Sequence, residues 1–75
     1  VTDADRALEA GILTALRSRR RGAVLDPEEI VEGEREAVRR AARRLAARGE
    51  VEIVQAGRLV DPSRATGPIG VRLLG

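Results

Sequence analysis

The side chains that most often carry out covalent catalysis are missing from this sequence. Its 75 residues contain no Cys, His, Lys or Tyr. A hydroxyl needs an adjacent base to become a nucleophile, and no such base accompanies the two serines and three threonines, which are Ser18, Ser63, Thr2, Thr14 and Thr66. The glycine patterns that hold nucleotide phosphates are also missing. We therefore expect a protein that is not an enzyme and uses no cofactor.

Acidic side chains are concentrated in residues 26–36, which hold six carboxylates and one arginine, a net charge of −5 (−6 + 1). Paired carboxylates can transfer protons when they are buried, but these lie beside many arginines on short predicted helices. Zinc needs thiolate or imidazole ligands, and calcium needs about six to eight clustered oxygens. We expect solvated ion pairs in this segment and no metal site.

Arginine supplies all 14 basic side chains of the chain. A helix predicted for residues 34–48 is expected to expose four of them away from its apolar stripe, namely Arg39, Arg40, Arg43 and Arg44. Guanidinium groups bind phosphates and the edges of guanine. The candidate nucleic-acid-binding residues are five arginines of this helix and two that follow it: Arg35, Arg39, Arg40, Arg43, Arg44, Arg58 and Arg64.

A first helix is predicted for residues 3–19. Thr2 can cap it, with Asp5 as the reciprocal partner of a capping box. Its apolar positions recur at helical spacing, at Leu8, Ile12, Ala15 and Leu16. Gly11 within it would let another element approach closely. Residues 23–25 could then form a very short strand.

Two further helices are predicted before residue 50. Asp26 and Pro27 are a strong helix start, a cap followed by proline at the first helical position. This second helix is short because Gly33 interrupts it. The third helix, residues 34–48, ends at Gly49 and has an apolar stripe of Val38, Ala41, Ala42 and Leu45.

The last third of the chain has the two-residue period of strands. Val51 and Ile53 alternate with acidic residues, residues 58–60 form a second extended piece after a turn, and residues 69–73 alternate again. The order is that of an α+β winged helix: helix, short strand, helix-turn-helix and C-terminal β-wing. A three-helix bundle with a separate hairpin is the alternative. We expect residues 1–75 to form a single winged-helix-like domain.

Residues 51–62 and 67–69, with Val-Asp-Pro at 60–62 and Gly-Pro-Ile at 67–69, resemble a bacterial family of short proteins. That family is described as a domain of unknown function with a winged-helix-like fold. The Ala-x-x-Leu-Ala-x-x-Gly pattern at 42–49 also fits, and the resemblance covers residues 38–73. It implies the fold and no activity. Family members often carry Arg where Gly70 stands here, and a longer segment in place of residues 26–36.

Composition limits the location of the protein. The isoelectric point of about 10.9 arises because no side chain titrates between the carboxylates and the guanidinium groups, so the net charge of +2 describes the chain better. No apolar run approaches the ~20 residues of a membrane span, and the N-terminus has no signal-peptide core. We expect a bacterial, cytoplasmic protein without a membrane partner.

The leading functional hypothesis is weak binding of double-stranded DNA through the third helix and the wing. The acidic residues 26–36 oppose it, because a helix-turn-helix corner lies near the phosphates. A salt-bridged helix surface, with Glu36 paired to Arg40, would explain the arginines without any ligand. The alternative function is a protein-interaction or dimerisation module, in which the strand at 69–73, with Leu74 beyond it, offers an exposed edge to a partner.

Overall fold

The computed structural model describes residues 1–65 and 67–74. The elements along the chain are α1 (Asp3–Arg17), α2 (Pro27–Ile30), α3 (Arg35–Ala47), β1 (Val51–Gln55), β2 (Arg58–Leu59) and β3 (Gly70–Leu73). The three helices and the antiparallel three-stranded sheet form the predicted α+β fold, which is compatible with a winged-helix-like arrangement. Thr66, one of the hydroxyls considered above, lies outside the described residues.

The start of α1 is as predicted, and its end comes earlier. The Thr2 hydroxyl accepts a hydrogen bond from the backbone of Asp5, and the Asp5 carboxylate accepts one from the backbone of Thr2, which completes the capping box. The helix stops at Arg17 rather than at residue 19. Ser18 caps this end, and its hydroxyl donates to the carbonyl of Ala15 at 2.7 Å, a local bond that competes with helix continuation.

The second helix is a single turn, shorter than expected. Asp26 caps it by accepting a hydrogen bond from the backbone of Glu28 at 2.9 Å, and the predicted Pro27 stands at its start. It ends at Ile30 because Val31 already has an extended backbone. Two of the four residues of α2, Glu28 and Glu29, are acidic, and both are in its first turn.

Glu34 positions the start of α3. Its carboxylate accepts hydrogen bonds from the backbone of Glu36 and Ala37 at 3.1 and 3.0 Å, so it satisfies N–H groups that have no partner within the helix. These bonds lower the pKa of Glu34 and keep it ionised. The helix ends just before the predicted stop, Gly49, which has a positive φ of 77°.

The sheet has the strand order β2-β1-β3. Val54 of β1 stands opposite both Leu59 and Gly70. The predicted short strand at 23–25 is present as one bridge, in which Leu25 and Val71 exchange backbone hydrogen bonds of 2.9 and 2.7 Å. The expectation of an exposed edge at 69–73 is therefore wrong at Val71, where Leu25 pairs with the outer side of β3.

The core consists of aliphatic side chains that α1 and α3 contribute together with one face of the sheet. All four residues of the predicted α3 stripe are buried. Three of them, Ala41, Ala42 and Leu45, pack with the following buried residues of the other elements and of the loop before β3: Ile12, Leu16, Val51, Ile53, Ala65, Ile69 and Val71. None of the helices in the described part of the chain has the length and apolar character needed to cross a membrane.

Gly11 brings α1 and the end of α2 together, as expected. A Cβ at this position would lie 2.8 Å from a methyl carbon of Val31, closer than packed carbon atoms normally come. Val31 therefore packs directly on the backbone of α1, and the α2–α3 corner is held against the N-terminal half of that helix.

Candidate nucleic-acid interface

The arginines of α3 differ in exposure more than the sequence indicated. Arg40 is exposed as predicted, and so is Arg35 at the start of the helix. Arg39 is only 8% exposed, and Arg43 and Arg44 are partly buried. The expectation that Arg39, Arg40, Arg43 and Arg44 form one exposed face is therefore wrong for three of the four. The physical reason is that α1, α2 and the loop before β3 all pack around α3.

Glu28 of α2 binds two of these arginines. It forms an ion pair with Arg35 at 3.1 Å and another with Arg39 at 3.3 Å. The guanidinium of Arg39 also reaches Glu36 at 3.2 Å. The expected pairing of Glu36 with Arg40 is therefore wrong, because Glu36 pairs with Arg39, three residues ahead. Arg39 lies on the α2 side of the helix, where a single planar group can reach both carboxylates.

Glu9 of α1 binds the other end of α3. It is 3% exposed. One carboxylate oxygen lies 2.6 Å from Nε of Arg44, and the other lies 2.7 Å from a terminal guanidinium nitrogen of Arg48. Arg6 of the same helix adds a weaker contact at 3.4 Å. Burial alone would raise the pKa of Glu9, but the hydrogen bonds from Arg44 and Arg48 together outweigh it and leave the pKa below its ordinary value.

Sequence reasoning missed Glu9, although the sequence contains a signal for it. Glu9 is three residues before Ile12 and seven before Leu16, so it shares the apolar face of α1. A carboxylate on that face must be paired to be tolerated. The helical periodicity can therefore flag Glu9 as a buried charge, but it cannot name Arg44 and Arg48 as the partners.

Arg43 connects α3 to the wing, which comprises residues 56–69. Its guanidinium donates to the carbonyl oxygen of Ala65 at 3.0 Å. The neighbouring Arg64 is exposed, and so is Arg58 at the start of β2. Arg58 stands opposite Gln55 in the sheet. The side-chain amide of Gln55 donates to the carbonyl of Pro68 at 3.0 Å.

The seven predicted site residues thus divide into two groups. Arg35, Arg39 and Arg44 are ion-paired with carboxylates of α1, α2 or α3 itself. In the described part of the chain, no carboxylate lies within ion-pair distance of the other four, which are Arg40, Arg43, Arg58 and Arg64. The second group lies on α3 and the wing, and hydrogen bonding between Arg43 and Ala65 joins the two elements.

A family model matches residues 5–74, almost the whole chain. The chain belongs to the family described as "Protein of unknown function (DUF3253)". This finding extends the resemblance, inferred above from residues 38–73 only, to the helical part of the chain. A comparison with curated proteins found no match.

The structure explains one feature in which this DUF3253 chain departs from the pattern expected of its relatives, the glycine at position 70. A Cβ on Gly70 would lie 2.6 Å from a methyl carbon of Val24. The Val24 side chain, on the chain segment beside β3, packs against the backbone at position 70 and occupies the space that a side chain there would need. Any larger side chain at position 70 would require Val24 to move.

The hydroxyls of Thr2, Ser18 and Ser63 in this DUF3253 chain make local structural bonds. Ser63 donates to Asp61 at 2.7 Å in the wing. That contact and the backbone bond from Ser63 lower the pKa of Asp61, which makes this carboxylate a weaker base. Within residues 1–65 and 67–74, no three acidic side chains converge in a way that could hold a metal ion.

Proposed function

We propose that the protein binds the phosphate backbone of double-stranded DNA, weakly, through the outward side of α3 and the wing. The observation that carries the proposal is the division of the arginines. Those that face α1 and α2 are ion-paired with carboxylates, whereas within residues 1–65 and 67–74 no carboxylate lies within ion-pair distance of Arg40, Arg43, Arg58 or Arg64. A guanidinium that is not ion-paired with a carboxylate can make charge-assisted hydrogen bonds to phosphate.

The negative charge at the start of α3 makes it unlike a helix end that reads DNA bases, which leaves contacts to phosphates from other parts of the surface. Winged helices and related folds read bases with the N-terminal half of this helix. Here that half begins with Glu34 and Glu36, and Arg39 within it is buried and paired. The contacts therefore come from the middle of α3 and from the wing, and such contacts position a duplex without reading its sequence.

The same observations support a binding protein rather than an enzyme. The Ser63 hydroxyl donates to Asp61, and the lowered pKa of that carboxylate suits a loop contact better than proton abstraction. The alternative function, protein association, is favoured by a different surface, the groove between α1 and the α2–α3 corner. A bacterial origin and a cytoplasmic location stay predictions.

The test is the salt dependence of binding to a random 20-base-pair duplex, followed by fluorescence anisotropy between about 20 and 200 mM salt. Three or four phosphate contacts predict a plot of log K against log salt with a slope of about −2.5 to −3.5. Arg40→Ala should weaken binding to all sequences alike and reduce the magnitude of the slope by about 1.

Arg20→Ala is the matched control, because it removes one exposed arginine beyond the far end of α1. We expect it to leave the slope almost unchanged. Equal effects of Arg20→Ala and Arg40→Ala would mean that net charge alone drives binding and would contradict the proposed surface. No binding at about 20 mM salt would reject the DNA proposal as a whole.

A further inference from the structure

A surface groove with a volume of about 420 Å³ runs between the N-terminal half of α1 and the α2–α3 corner. We call it the corner groove. Its walls are mostly apolar and come from both sides: Ala4, Ala7, Leu8, Val31 and Ala37. Among the described residues that line it, three are acidic and none is basic: Asp5, Glu32 and Glu34. The corner groove therefore suits an apolar side chain that is flanked by positive charge.

The opposite end of α1 has the complementary chemistry. Arg17, Arg19 and Arg20 are exposed there. Leu74, which is 47% exposed, lines a surface depression together with Arg17 and Arg19. This end thus presents an apolar side chain among arginines. The two complementary surfaces are separated by α1, a 15-residue helix about 22 Å long.

An exposed helix face connects the two surfaces. Asp3, Ala7, Ala10, Thr14 and Arg17 follow each other at spacings of four and three residues, which places them on one side of α1. All five are exposed. The face is acidic at one end and basic at the other, with small side chains between them, and Ala10 is its midpoint.

We infer that this face and the corner groove bind a second copy of the chain, with the two α1 helices antiparallel. In this arrangement Asp3 of each copy lies near Arg17 of the other, and Ala10 meets its own equivalent at the two-fold axis. Each copy then brings its basic end, with Leu74, to the rim of the partner's corner groove. Such a contact is closed and self-complementary, the commonest kind among soluble oligomers.

The antiparallel arrangement also places opposite helix dipole ends beside one another, which adds to the attraction between the charged side chains. The small side chains at positions 7, 10 and 14 allow the two helices to approach closely. The contact area is limited to one helix face and one groove, so we expect a weak dimer with a dissociation constant between about 10 µM and 1 mM.

The first test measures self-association by sedimentation equilibrium up to about 1 mM protein, combined with cross-linking. The chain has no cysteine, so Ala10→Cys introduces a single reactive thiol at the proposed axis. We expect disulfide-linked dimers of Ala10→Cys at concentrations where the matched control Ala47→Cys, exposed at the end of α3, stays monomeric. A monomer at 1 mM, or equal cross-linking of both variants, would overturn the inference.

The second test exchanges charges. One variant carries Asp3→Arg and Glu32→Arg, and the other carries Arg17→Glu and Arg19→Glu; these positions are exposed and make none of the side-chain caps. Each variant alone should dimerise at least about tenfold more weakly, because like charges meet at both ends. Their equimolar mixture should form a heterodimer of wild-type affinity, since opposite charges meet at both ends. Failure of the mixture to associate would reject the antiparallel arrangement.

Discussion

Arg39 and Arg44 illustrate how a guanidinium can be structural while it looks like a ligand-binding group in the sequence. Arg39 joins Glu28 of α2 to Glu36 of its own helix. Arg44 joins α3 to Glu9 of α1, and it also reaches the backbone carbonyl of Asp5 at 3.4 Å. The Nε atoms of Arg39 and Arg43 are buried without a hydrogen-bond partner in the described part of the chain, a cost that the ion pairs and the Ala65 contact offset.

Glu9 offers the sharpest test at the residue scale. Glu9→Gln keeps the shape of the side chain but removes the charge that Arg44 and Arg48 share. We expect the free energy of unfolding to fall by about 2 kcal/mol, less than for a fully buried pair, because both arginines can still reach water. Urea unfolding measures this change. Glu29→Gln, on an exposed carboxylate of α2, is the control and should change stability by less than about 0.5 kcal/mol.

The pH dependence of the same variant has a defined sign. The pKa of Glu9 in the folded protein is below its ordinary value of 4.5. Its contribution to stability is therefore complete above the unfolded value and is lost as the pH falls through the folded value. Wild type and Glu9→Gln should differ most above pH 5 and converge in more acidic solution. A difference that grows on acidification would contradict this assignment.

Among the secondary-structure elements, α2 makes more contacts that hold its neighbours in place than its length of four residues suggests. Its cap holds one end, Glu28 holds two arginines of α3, and Val31 after its last turn packs on Gly11 of α1. The corner between α2 and α3 is thereby fixed against both of its neighbours. An acidic, tightly held corner is poorly suited to meeting DNA phosphates, which is why the proposed contacts lie on the wing side of α3.

The contact between α1 and α2 can be tested with a double-mutant cycle. Gly11→Ala would gain about 1 kcal/mol of helix propensity, but the added methyl group would meet Val31, at a cost of about 1–3 kcal/mol. We expect a net loss of about 1 kcal/mol. In a Val31→Ala background the same change should become stabilising. Thermal unfolding of the four proteins gives the interaction energy, and additive effects would show that Val31 does not limit position 11.

At the scale of the whole molecule, the charges are sorted by place. Acidic groups predominate around the corner groove. Arginines that have no ion pair within the described part of the chain occur on the wing side of α3, and exposed arginines also cluster at residues 17–20. The nearly neutral total, a net charge of +2, conceals this separation. It allows one small fold to present two surfaces of opposite character, one suited to phosphates and one suited to a basic partner.

The absence of His, Lys, Cys and Tyr makes a further prediction about the whole molecule. No side chain titrates between the carboxylates and the guanidinium groups. The pKa values of Asp5, Glu9, Glu34 and Asp61 are all lowered by folding, so stability should be lost only in acid. We expect the free energy of unfolding to stay constant from about pH 6 to pH 10. Urea unfolding at constant ionic strength measures this free energy at each pH. A decline within that range would contradict the expectation.

The secondary-structure elements and most of their ends can be predicted from the amino-acid sequence. Thr2, Asp26 and Gly49 mark helix boundaries through bonds to residues at most a few positions away, and the α3 stripe follows from helical periodicity alone. These signals are local, because they depend on backbone hydrogen bonding and on the direction of successive side chains. The family pattern at residues 60–62 and 67–69 is equally local.

Which arginines are exposed and which are ion-paired depends on the tertiary structure. Glu9 and Arg44 are 35 residues apart, and Glu28 and Arg39 are 11 apart. The bridge between Leu25 and Val71, which covers the outer edge of β3 at Val71, is also long-range. Such contacts depend on how helices and strands pack against one another. Neither residue type nor spacing along the chain encodes that packing in a form that can be read directly.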